Sequence, residues 1–201
     1  PIRAYRGYPS SIISEDFVRP EGADFVGGYL LQSLGVMPLN FGTQLVRGAG
    51  LWGADLMAAL DEYPFSAGIG MNGECLPDDG NRLTLSSEIA EDGLPRAEIS
   101  FSKGANEQAI DAHGVAVMER ILTAAGARST RVMQRTAHTL GTCRMGDDPD
   151  DAVVDASGRS HEVDNLWICD NSTFPSALTA NPALTQMALG LRTADRLLAG
   201  R

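Results

Sequence analysis

The side chains that could do chemistry lie near the carboxyl end of the chain. His138 comes first, Asp170 follows a short apolar segment, and Asn181 precedes a helical pattern that begins with Pro182. An imidazole, with a reference pKa of about 6.5, is a natural acceptor for a hydroxyl proton at neutral pH. The free N–H groups at the start of a helix favour an anion. This order of groups predicts a site that removes hydrogen from an alcohol.

Each of these side chains also has a purely structural interpretation. His138 could be a loop histidine hydrogen-bonded to the main chain, and Asp170 could close an Asx-turn. Asn181 could be an N-cap, because its side-chain oxygen would accept an N–H of the first helical turn. Spacing alone favours the cap for Asn181 and leaves Asp170 open between the two interpretations. The other two histidines, His113 and His161, are interpreted as structural.

Two short strands and a long helix are predicted to position these groups. The strands cover Val153–Val154 and Asn165–Cys169, and the second ends directly before Asp170. Ligands in α/β proteins bind beyond the carboxyl ends of strands, which is where this aspartate stands. The helix is predicted from Pro182 to about Leu198. Its apolar positions repeat at helical spacing and are predicted to face inward: Leu184, Met187, Ala188, Leu191, Ala194 and Leu198.

The preceding part of the chain is predicted to mix irregular and regular segments. Residues 1–66 are rich in glycine and proline, which is typical of short helices and strands joined by loops. Three strands are predicted at Ala67–Leu76, Arg82–Ser86 and Arg96–Phe101. The turn-forming links between them favour an antiparallel meander. A long amphipathic helix is predicted over Ala105–Ala125.

A glycine-rich stretch near residue 50 matches a nucleotide-binding motif in its letters. Gly48, Gly50 and Gly53 satisfy G-x-G-x-x-G. The preceding FGTQLVR is interrupted by polar residues and is a poor buried strand, and Trp52 would crowd a turn that must admit a pyrophosphate. We interpret the stretch as a turn-rich loop before a surface helix. A nicotinamide-dependent enzyme is the alternative that the motif would support.

Composition excludes several classes of protein. The chain has 201 residues, a net charge of −10 and 43% hydrophobic residues. Its scattered basic residues supply no cationic surface for nucleic acid, and its acidic surface favours a neutral or cationic ligand. No apolar run reaches the ~20 residues that cross a bilayer, and no signal-peptide pattern is visible. The three cysteines, Cys75, Cys143 and Cys169, form no CxxC pair, so we expect neither a metal site nor a disulfide framework.

Four sequence blocks in the carboxyl-terminal region resemble the signature of one enzyme family. They are H-x-x-G-T-x-x-M-G from His138, then V-V-D, then N-L-W-I-C-D-N-S-x-x-P, then N-P-A-L-T-x-x-A-L from Asn181. Their order and spacing are similar to those of the glucose–methanol–choline (GMC) flavoprotein oxidoreductases. The segment NRLTLS and the helix that ends in MERILTAAGA are similar to that family's substrate-binding half. The resemblance is strong over residues 80–201 and diffuse before them.

This resemblance implies a reaction and two catalytic residues. The family oxidises alcohols, often sugars or polyols, by hydride transfer to FAD. By the resemblance, His138 is the proton acceptor, and Asn181 is its partner at the flavin face. The substrate oxygen would be held by the two side chains together.

The resemblance also implies how FAD is held. Asp170 and Asn171 would lie near the ribityl and pyrophosphate groups of the cofactor. The backbone of Pro182 and Ala183 would lie near the pyrimidine edge of the flavin. FAD is therefore the expected cofactor, and an alcohol or sugar is the expected substrate.

The fold class expected from the resemblance is α+β (α/β). An antiparallel-sheet substrate domain flanked by helices would be followed by C-terminal strand and helix elements that complete an FAD-binding domain. Residues 1–135 would form the substrate-binding domain, irregular over 1–66. Residues 136–201 would form a C-terminal segment with the catalytic loop and the flavin-facing helix.

One part of the family's pattern is missing from this chain. The family's FAD-binding βαβ unit, with its own G-x-G-x-x-G, lies near the amino terminus, and this chain holds less than half of a full member. We therefore expect a companion chain, or a missing N-terminal FAD-binding half, as the partner. The chain alone would bind FAD weakly. The alternative is a non-enzymatic detached module that binds carbohydrate or protein without flavin.

Overall fold

The computed structural model describes residues 11–134 and 136–199, and the chain divides into two compact units. The first unit comprises Pro1–Gly73 and Ala109–Ala137, and the second comprises Glu74–Gln108 and His138–Arg201. Residues 1–10, 135, 200 and 201 of the predicted domains lie outside the described residues. The functional division after residue 135 stays a prediction.

An antiparallel sheet of three strands lies in the first unit. Its strands are β1 (Ile13–Ser14), β2 (Tyr29–Leu34) and β3 (Gly68–Gly73), in the order β1-β2-β3. Strand β2 pairs with β3 along its whole length, from Tyr29 opposite Gly73 to Leu34 opposite Gly68. Strand β3 confirms the first predicted strand. The meander prediction is wrong, because the partner of β3 is the earlier strand β2 rather than the strand that follows it.

The long helix α3 (Ala105–Ala124) supplies the other side of the core of this unit. Ile110 and Val117 on α3 are buried together with Tyr29 and Leu31 of β2. A Cβ at Gly114 would overlap the sulfur of Met71, so a larger residue at this position would require the Met71 side chain to move. The observed bounds of α3 match the predicted range, Ala105–Ala125, to within one residue.

The glycine-rich stretch lies between two helices. Helix α1 (Pro38–Ala49) contains Gly48 and ends at Gly50, which has a φ of 66°, and helix α2 (Gly53–Asp61) begins directly after Trp52. A dinucleotide-binding turn requires a strand before its first glycine, and here a helix takes that place. The interpretation of this stretch as a turn rather than a nucleotide-binding loop is confirmed. A short 3₁₀ helix, Tyr63–Phe65, follows α2.

A β-hairpin begins the second unit. Strands β4 (Arg82–Ile89) and β5 (Pro95–Ser100) pair antiparallel, with Leu83 opposite Ile99 and Leu85 opposite Ala97. Both predicted strands are thus present, and β4 is longer than expected. The open end of the hairpin is closed by a reciprocal pair of hydrogen bonds. The Asn81 side chain accepts from the Ser102 amide at 2.7 Å and donates to the Ser102 carbonyl at 3.0 Å.

The carboxyl-terminal part of this unit contains a 3₁₀ turn (Asn171–Thr173) and helix α4 (Ala183–Ala199). The two short strands predicted at Val153–Val154 and Asn165–Cys169 are wrong. Isolated bridges replace them, and their pairs are Met145 with Val154, Val154 with Ser160, and Arg159 with Trp167. The reason is local, because Asp155 and Gly158 turn the chain between these bridges and leave no room for a continuous ladder.

Helix α4 begins one residue later than predicted, and its buried face is not the predicted one. Leu184, Met187 and Leu191 are 77%, 61% and 71% exposed, whereas Thr193 is 7% exposed. The least exposed face of the helix contains Thr193, Leu189 and Leu197. Thr193 lies close to Gly158, because a Cβ at Gly158 would lie 2.8 Å from the Thr193 hydroxyl. The apolar stripe of α4 is therefore left on the surface of this chain.

The fold class is mixed α+β with antiparallel sheets, as predicted. Within the part of the chain that the structure describes, no helix is both long and apolar enough to cross a bilayer. In the same residues, no group of histidine, cysteine and acidic side chains is arranged to hold a metal ion.

Candidate active site

The segment that carries His138 has no helix or strand of its own and is fixed by main-chain hydrogen bonds to the 3₁₀ turn. Alternate amides of the loop donate to three consecutive carbonyls of that turn. The pairs are Gly141 to Asn171, Cys143 to Ser172 and Met145 to Thr173, with N···O distances of 3.0, 2.9 and 2.9 Å. The loop that carries the predicted base and the turn predicted to hold the cofactor are thus one connected structure.

The His138 side chain is exposed, and its backbone has a φ of 57°. Among the described residues, its imidazole has no hydrogen-bond partner, so this part of the chain gives no support to the interpretation as a histidine bonded to the main chain. By contrast, the other two rings are engaged. His161 Nε2 lies 3.0 Å from the Gly146 carbonyl oxygen, and His113 Nδ1 lies 2.8 Å from the Tyr29 hydroxyl. Both histidines are structural, as predicted.

Thr142 has an unusual backbone conformation four residues after His138. Its φ is 89°, next to Gly141 with a φ of 85°. Glycine adopts such angles freely, whereas a β-branched residue is strained there by about 1–3 kcal/mol. Sequence reasoning gave no sign of this strain, since the letters G-T only indicate a turn.

Asp170 forms the Asx-turn that begins the 3₁₀ turn. Its Oδ1 accepts hydrogen bonds from the Ser172 amide at 2.8 Å and from the Ser172 hydroxyl. The Ser172 hydroxyl and then the Ser172 amide hold the pKa of this carboxyl below its usual range. Asp170 is mostly exposed, so the charged carboxylate remains open to solvent. The structural interpretation of Asp170 is therefore correct, and it leaves room for a second role.

Two buried acceptor oxygens near Asp170 have no hydrogen-bond donor among the described residues. They are Asn171 Oδ1 and Gln186 Oε1. The Gln186 side-chain nitrogen, Nε2, donates a hydrogen bond to the Cys169 carbonyl at 2.5 Å. This bond fixes the orientation of the side-chain amide, because only its nitrogen can donate to a carbonyl. Buried acceptors without donors are rare in proteins. A ligand that carries hydroxyl groups, such as the ribityl chain of FAD, supplies donors of the required kind.

The first turn of α4 lies against this same region. Gln186 belongs to that turn, and its backbone N–H donates to the Pro182 carbonyl, with an N···O distance of 2.8 Å. Pro182 is buried, whereas Asn181 and Ala183 are exposed. The first N–H groups of an α-helix have no partner within the helix, so the start of α4 can bind an anion or an electron-rich ring edge.

The structure thus brings several of the predicted residues together. The His138 loop is bonded to Asn171, and Gln186 joins the first turn of α4 to Cys169, directly before Asp170. The convergence of the His138 and Asn181 side chains on one substrate oxygen stays a prediction. Sequence reasoning missed Gln186, because a glutamine in a helix gives no signal until its partner is known.

Comparison with known proteins places the chain among redox enzymes. A family model described as GMC oxidoreductase matches residues 77–190, which is more than half of the chain. The match includes the His138 loop, the 3₁₀ turn and the start of α4, but not the sheet of the first unit. The matched residues are therefore those in which the candidate site lies.

Three relatives have named activities. The chain is 40% identical over 122 residues to 6'''-hydroxyparomomycin C oxidase of Streptomyces lividus and 37% identical over 123 residues to paromamine 6'-oxidase of Streptomyces fradiae. It is 33% identical over 134 residues to the fructose dehydrogenase large subunit of Gluconobacter japonicus. These matches cover 58%, 59% and 63% of this chain.

The same matches cover a much smaller share of the relatives. The aligned regions span 22%, 23% and 24% of the three relatives' lengths. The aligned part of the chain therefore corresponds to less than a quarter of the length of each of these three enzymes.

Proposed function

The chain belongs to the GMC oxidoreductase family, and from that premise we propose that it is the C-terminal catalytic and substrate-binding portion of an FAD-dependent oxidoreductase. The substrate class is an alcohol with a CH–OH group, most readily a sugar or polyol. Two observations support this class. The relatives named above include enzymes named for paromamine, a hydroxyparomomycin and fructose. The acidic chain, with a net charge of −10, also suits a neutral or cationic substrate.

His138 is proposed as the base. The observation that supports this role is an exposed imidazole without a partner among the described residues, held on a loop that three main-chain bonds fasten to a turn. The substrate hydroxyl gives its proton to a nitrogen of this ring while the C–H bond of the same carbon breaks. When bound, FAD supplies the acceptor for the hydride. The products are a carbonyl compound, a protonated His138 and a reduced cofactor.

Asn181 is proposed as the partner of His138 at the substrate oxygen. An amide nitrogen is a hydrogen-bond donor that keeps its proton throughout the reaction, so it can hold the oxygen while the imidazole takes the hydroxyl proton. Its exposed position directly before α4 supports access to a ligand.

Four residues are proposed to hold FAD: Asp170, Asn171, Pro182 and Ala183. Asp170 and the orphaned Asn171 Oδ1 would accept hydrogen bonds from the ribityl hydroxyls, and the backbone of Pro182 and Ala183 would lie near the flavin ring. The free N–H groups in the first turn of α4 favour negative charge at that edge. The element directly before the G-x-G-x-x-G stretch is helix α1 rather than a strand, so the stretch does not form a dinucleotide-binding turn.

A further portion of protein is therefore proposed as the partner of this chain. The aligned region spans less than a quarter of each relative, and the remaining length is ample for an FAD-binding portion. In this proposal residues 1–135 bind substrate, and residues 136–201 carry the catalytic loop and the flavin-facing helix.

The test uses the complete flavoprotein, with paromamine and fructose as probe alcohols and an artificial electron acceptor. His138→Ala should lower turnover by about 10²–10⁴-fold and leave the flavin absorption spectrum in place. His161→Ala is the matched control, because that ring bonds the Gly146 carbonyl and has no proposed part in the reaction. Near-normal turnover of His138→Ala would exclude this residue as the base.

The flavin spectrum also decides between this proposal and a non-enzymatic module. The specific observation behind the alternative is the small fraction of each relative that the chain represents. Protein that stays colourless, gains no FAD from any co-expressed portion and oxidises neither probe would support a detached binding module.

A further inference from the structure

The conformation of Thr142 is not explained by the fold of this chain. Its φ of 89° is suited to glycine, and glycine does occur at the preceding position, Gly141. A glycine at position 142 would take the same path without strain. The presence of a β-branched side chain there therefore needs a separate physical reason.

The strain cannot relax locally, because the backbone is held on both sides. The Gly141 amide donates to the Asn171 carbonyl at 3.0 Å, and the Cys143 amide donates to the Ser172 carbonyl at 2.9 Å. Rotation of the backbone at Thr142 toward an ordinary φ would break at least one of these bonds. The bonds preserve the strained conformation, but they would form equally well with glycine.

Nothing within the described residues offsets this strain through the side chain. Thr142 is exposed, and its hydroxyl has no hydrogen-bond partner in the described part of the chain. The backbone therefore fixes the direction of the Thr142 Cα–Cβ bond, and the side chain is open to a ligand. Its place on the His138 loop, beside the turn begun by Asp170, puts it among the residues proposed to act on the substrate and hold the cofactor.

We propose that the Thr142 hydroxyl forms a hydrogen bond with a hydroxyl group of a bound ligand. This inference rests on the proposed function, which supplies two sources of that chemistry: the alcohol or sugar substrate, and the ribityl chain of FAD. The held backbone places the Cβ before the ligand arrives, and a β-branched side chain has few χ1 rotamers, so limited conformational freedom is lost on binding. Thr142 therefore contributes to affinity rather than to proton transfer.

The first test removes the hydroxyl and keeps the shape of the side chain. In the complete flavoprotein, Thr142→Val should weaken binding of one ligand by about 3- to 10-fold, the usual effect of one neutral hydrogen bond. A raised Kd for FAD, measured by quenching of flavin fluorescence, assigns the contact to the cofactor. A raised KM for paromamine or fructose, with the FAD Kd and kcat unchanged, assigns it to the substrate. Thr142→Ser should restore the affinity that valine loses.

The second test concerns the strain. Thr142→Gly should raise the Tm by about 2–6 °C while it weakens ligand binding as valine does. Thr139→Gly is the matched control, because this exposed threonine of the same loop has no positive φ. That substitution should lower the Tm or leave it unchanged. If Thr142 had only a structural role, the Thr142→Gly substitution would not both raise the Tm and weaken ligand binding.

Two results would overturn the inference without touching the proposed function. One is an active flavoprotein in which Thr142→Val keeps both the FAD Kd and the KM of the parent protein. The other is a Thr142→Gly protein that is no more stable than the parent. If the complete protein binds no FAD and oxidises neither probe, then the proposed function itself fails, and the ligand contact fails with it.

Discussion

Of the two polar side-chain atoms of Gln186, the nitrogen has a hydrogen-bond partner among the described residues and the oxygen has none. The nitrogen donates to the Cys169 carbonyl, while the oxygen is buried. The side chain therefore does two separate things. It ties the first turn of α4 to the chain just before Asp170, and it offers an acceptor to whatever binds there.

Substitutions at Gln186 separate these two roles. Gln186→Leu should lower the free energy of unfolding by about 1–2 kcal/mol, because the Cys169 carbonyl loses its partner. Gln186→Glu places a carboxylate against that carbonyl oxygen and should be less stable still at pH 7. Urea unfolding of both variants measures the difference.

The pH dependence of the glutamate variant provides the check. Protonation returns a donor to the contact, so the folded-state pKa of Glu at this position should lie above its unfolded value. The deficit relative to the leucine variant should then shrink as the pH falls through this folded-state pKa, and it should be smallest below the unfolded pKa of about 4.3. A deficit that is constant from pH 7 to pH 4 would contradict the assignment of the Nε2 contact.

Asp170 makes the native protein sensitive to acid. Hydrogen bonds from Ser172 lower its pKa in the folded state, so its contribution to stability is full above the unfolded pKa and is lost as the pH falls through the folded pKa. Asp170→Asn should therefore lower the Tm at pH 7, and the difference from the parent should narrow below about pH 4. Asp147→Asn, at an exposed aspartate, is the control and should show little change at either pH. Thermal melts across this range measure both.

At the scale of elements, the packing of α4 depends on one glycine. Gly158 has a φ of 87°, and a Cβ there would lie 2.6 Å from the Ile168 carbonyl oxygen and 2.8 Å from the Thr193 hydroxyl. Gly158→Ala should therefore lower the free energy of unfolding by about 2–4 kcal/mol, from strain and crowding together.

Gly126→Ala is a matched control for that substitution. Gly126 has the same φ of 87°, but a Cβ there would meet nothing within 4 Å. Its cost should be about 1–2 kcal/mol from the backbone alone. Equal costs at the two glycines would show that α4 does not need the close approach at Gly158.

Helix positions could be read from the sequence more reliably than the contacts between elements. The pattern of Ala105–Ala125 predicts α3 because Ile110 and Val117 repeat at helical spacing and are both buried. Strand β2 was missed, since YLLQSL is short and lies among glycines. The pairing of β3 was also missed, because local turn signals favour the next strand, whereas β2 is about 40 residues earlier in the chain.

The candidate site shows the same division between local and distant information. The residues at positions 138, 170 and 181 could be chosen from their types and order, and the Asx-turn of Asp170 is local enough to foresee. The bonds from Gly141 and Cys143 to the 3₁₀ turn join residues about 30 positions apart, and no local pattern predicts them. The inward face of α4 was predicted wrongly, because hydrophobicity alone cannot tell a core from a surface that another protein portion covers.

At the scale of the whole chain, large apolar side chains are exposed in many places, and α4 and the hairpin are two of them. On α4, Leu184 and Leu191 are 77% and 71% exposed, and on the hairpin Leu85 and Ile99 are 68% and 73% exposed. A two-stranded hairpin is marginally stable in water without a covering layer. Exposed patches of this kind mark interaction surfaces in soluble proteins. They are consistent with a chain whose aligned part spans less than a quarter of the length of its relatives.

The isolated chain should therefore bind a hydrophobic dye. We expect strong fluorescence of 1-anilinonaphthalene-8-sulfonate with this chain, and a clear decrease in the double variant Leu184→Ser and Leu191→Ser. Arg192→Ser lies on the same helix and should leave the fluorescence unchanged. Equal dye binding by the parent and the double variant would show that the α4 stripe is not the accessible surface.

The alternating bonds between the His138 loop and the 3₁₀ turn have a consequence for how the site is lost. The backbone amides of Gly141, Cys143 and Met145 donate hydrogen bonds to three successive carbonyls of the turn. Breaking one of these bonds should therefore weaken the neighbouring one. A disturbance that unfolds the 3₁₀ turn, which is proposed to hold the cofactor, would therefore also release the loop that carries His138, the proposed base. The proposed cofactor contacts and the position of the imidazole should then be lost together rather than one at a time.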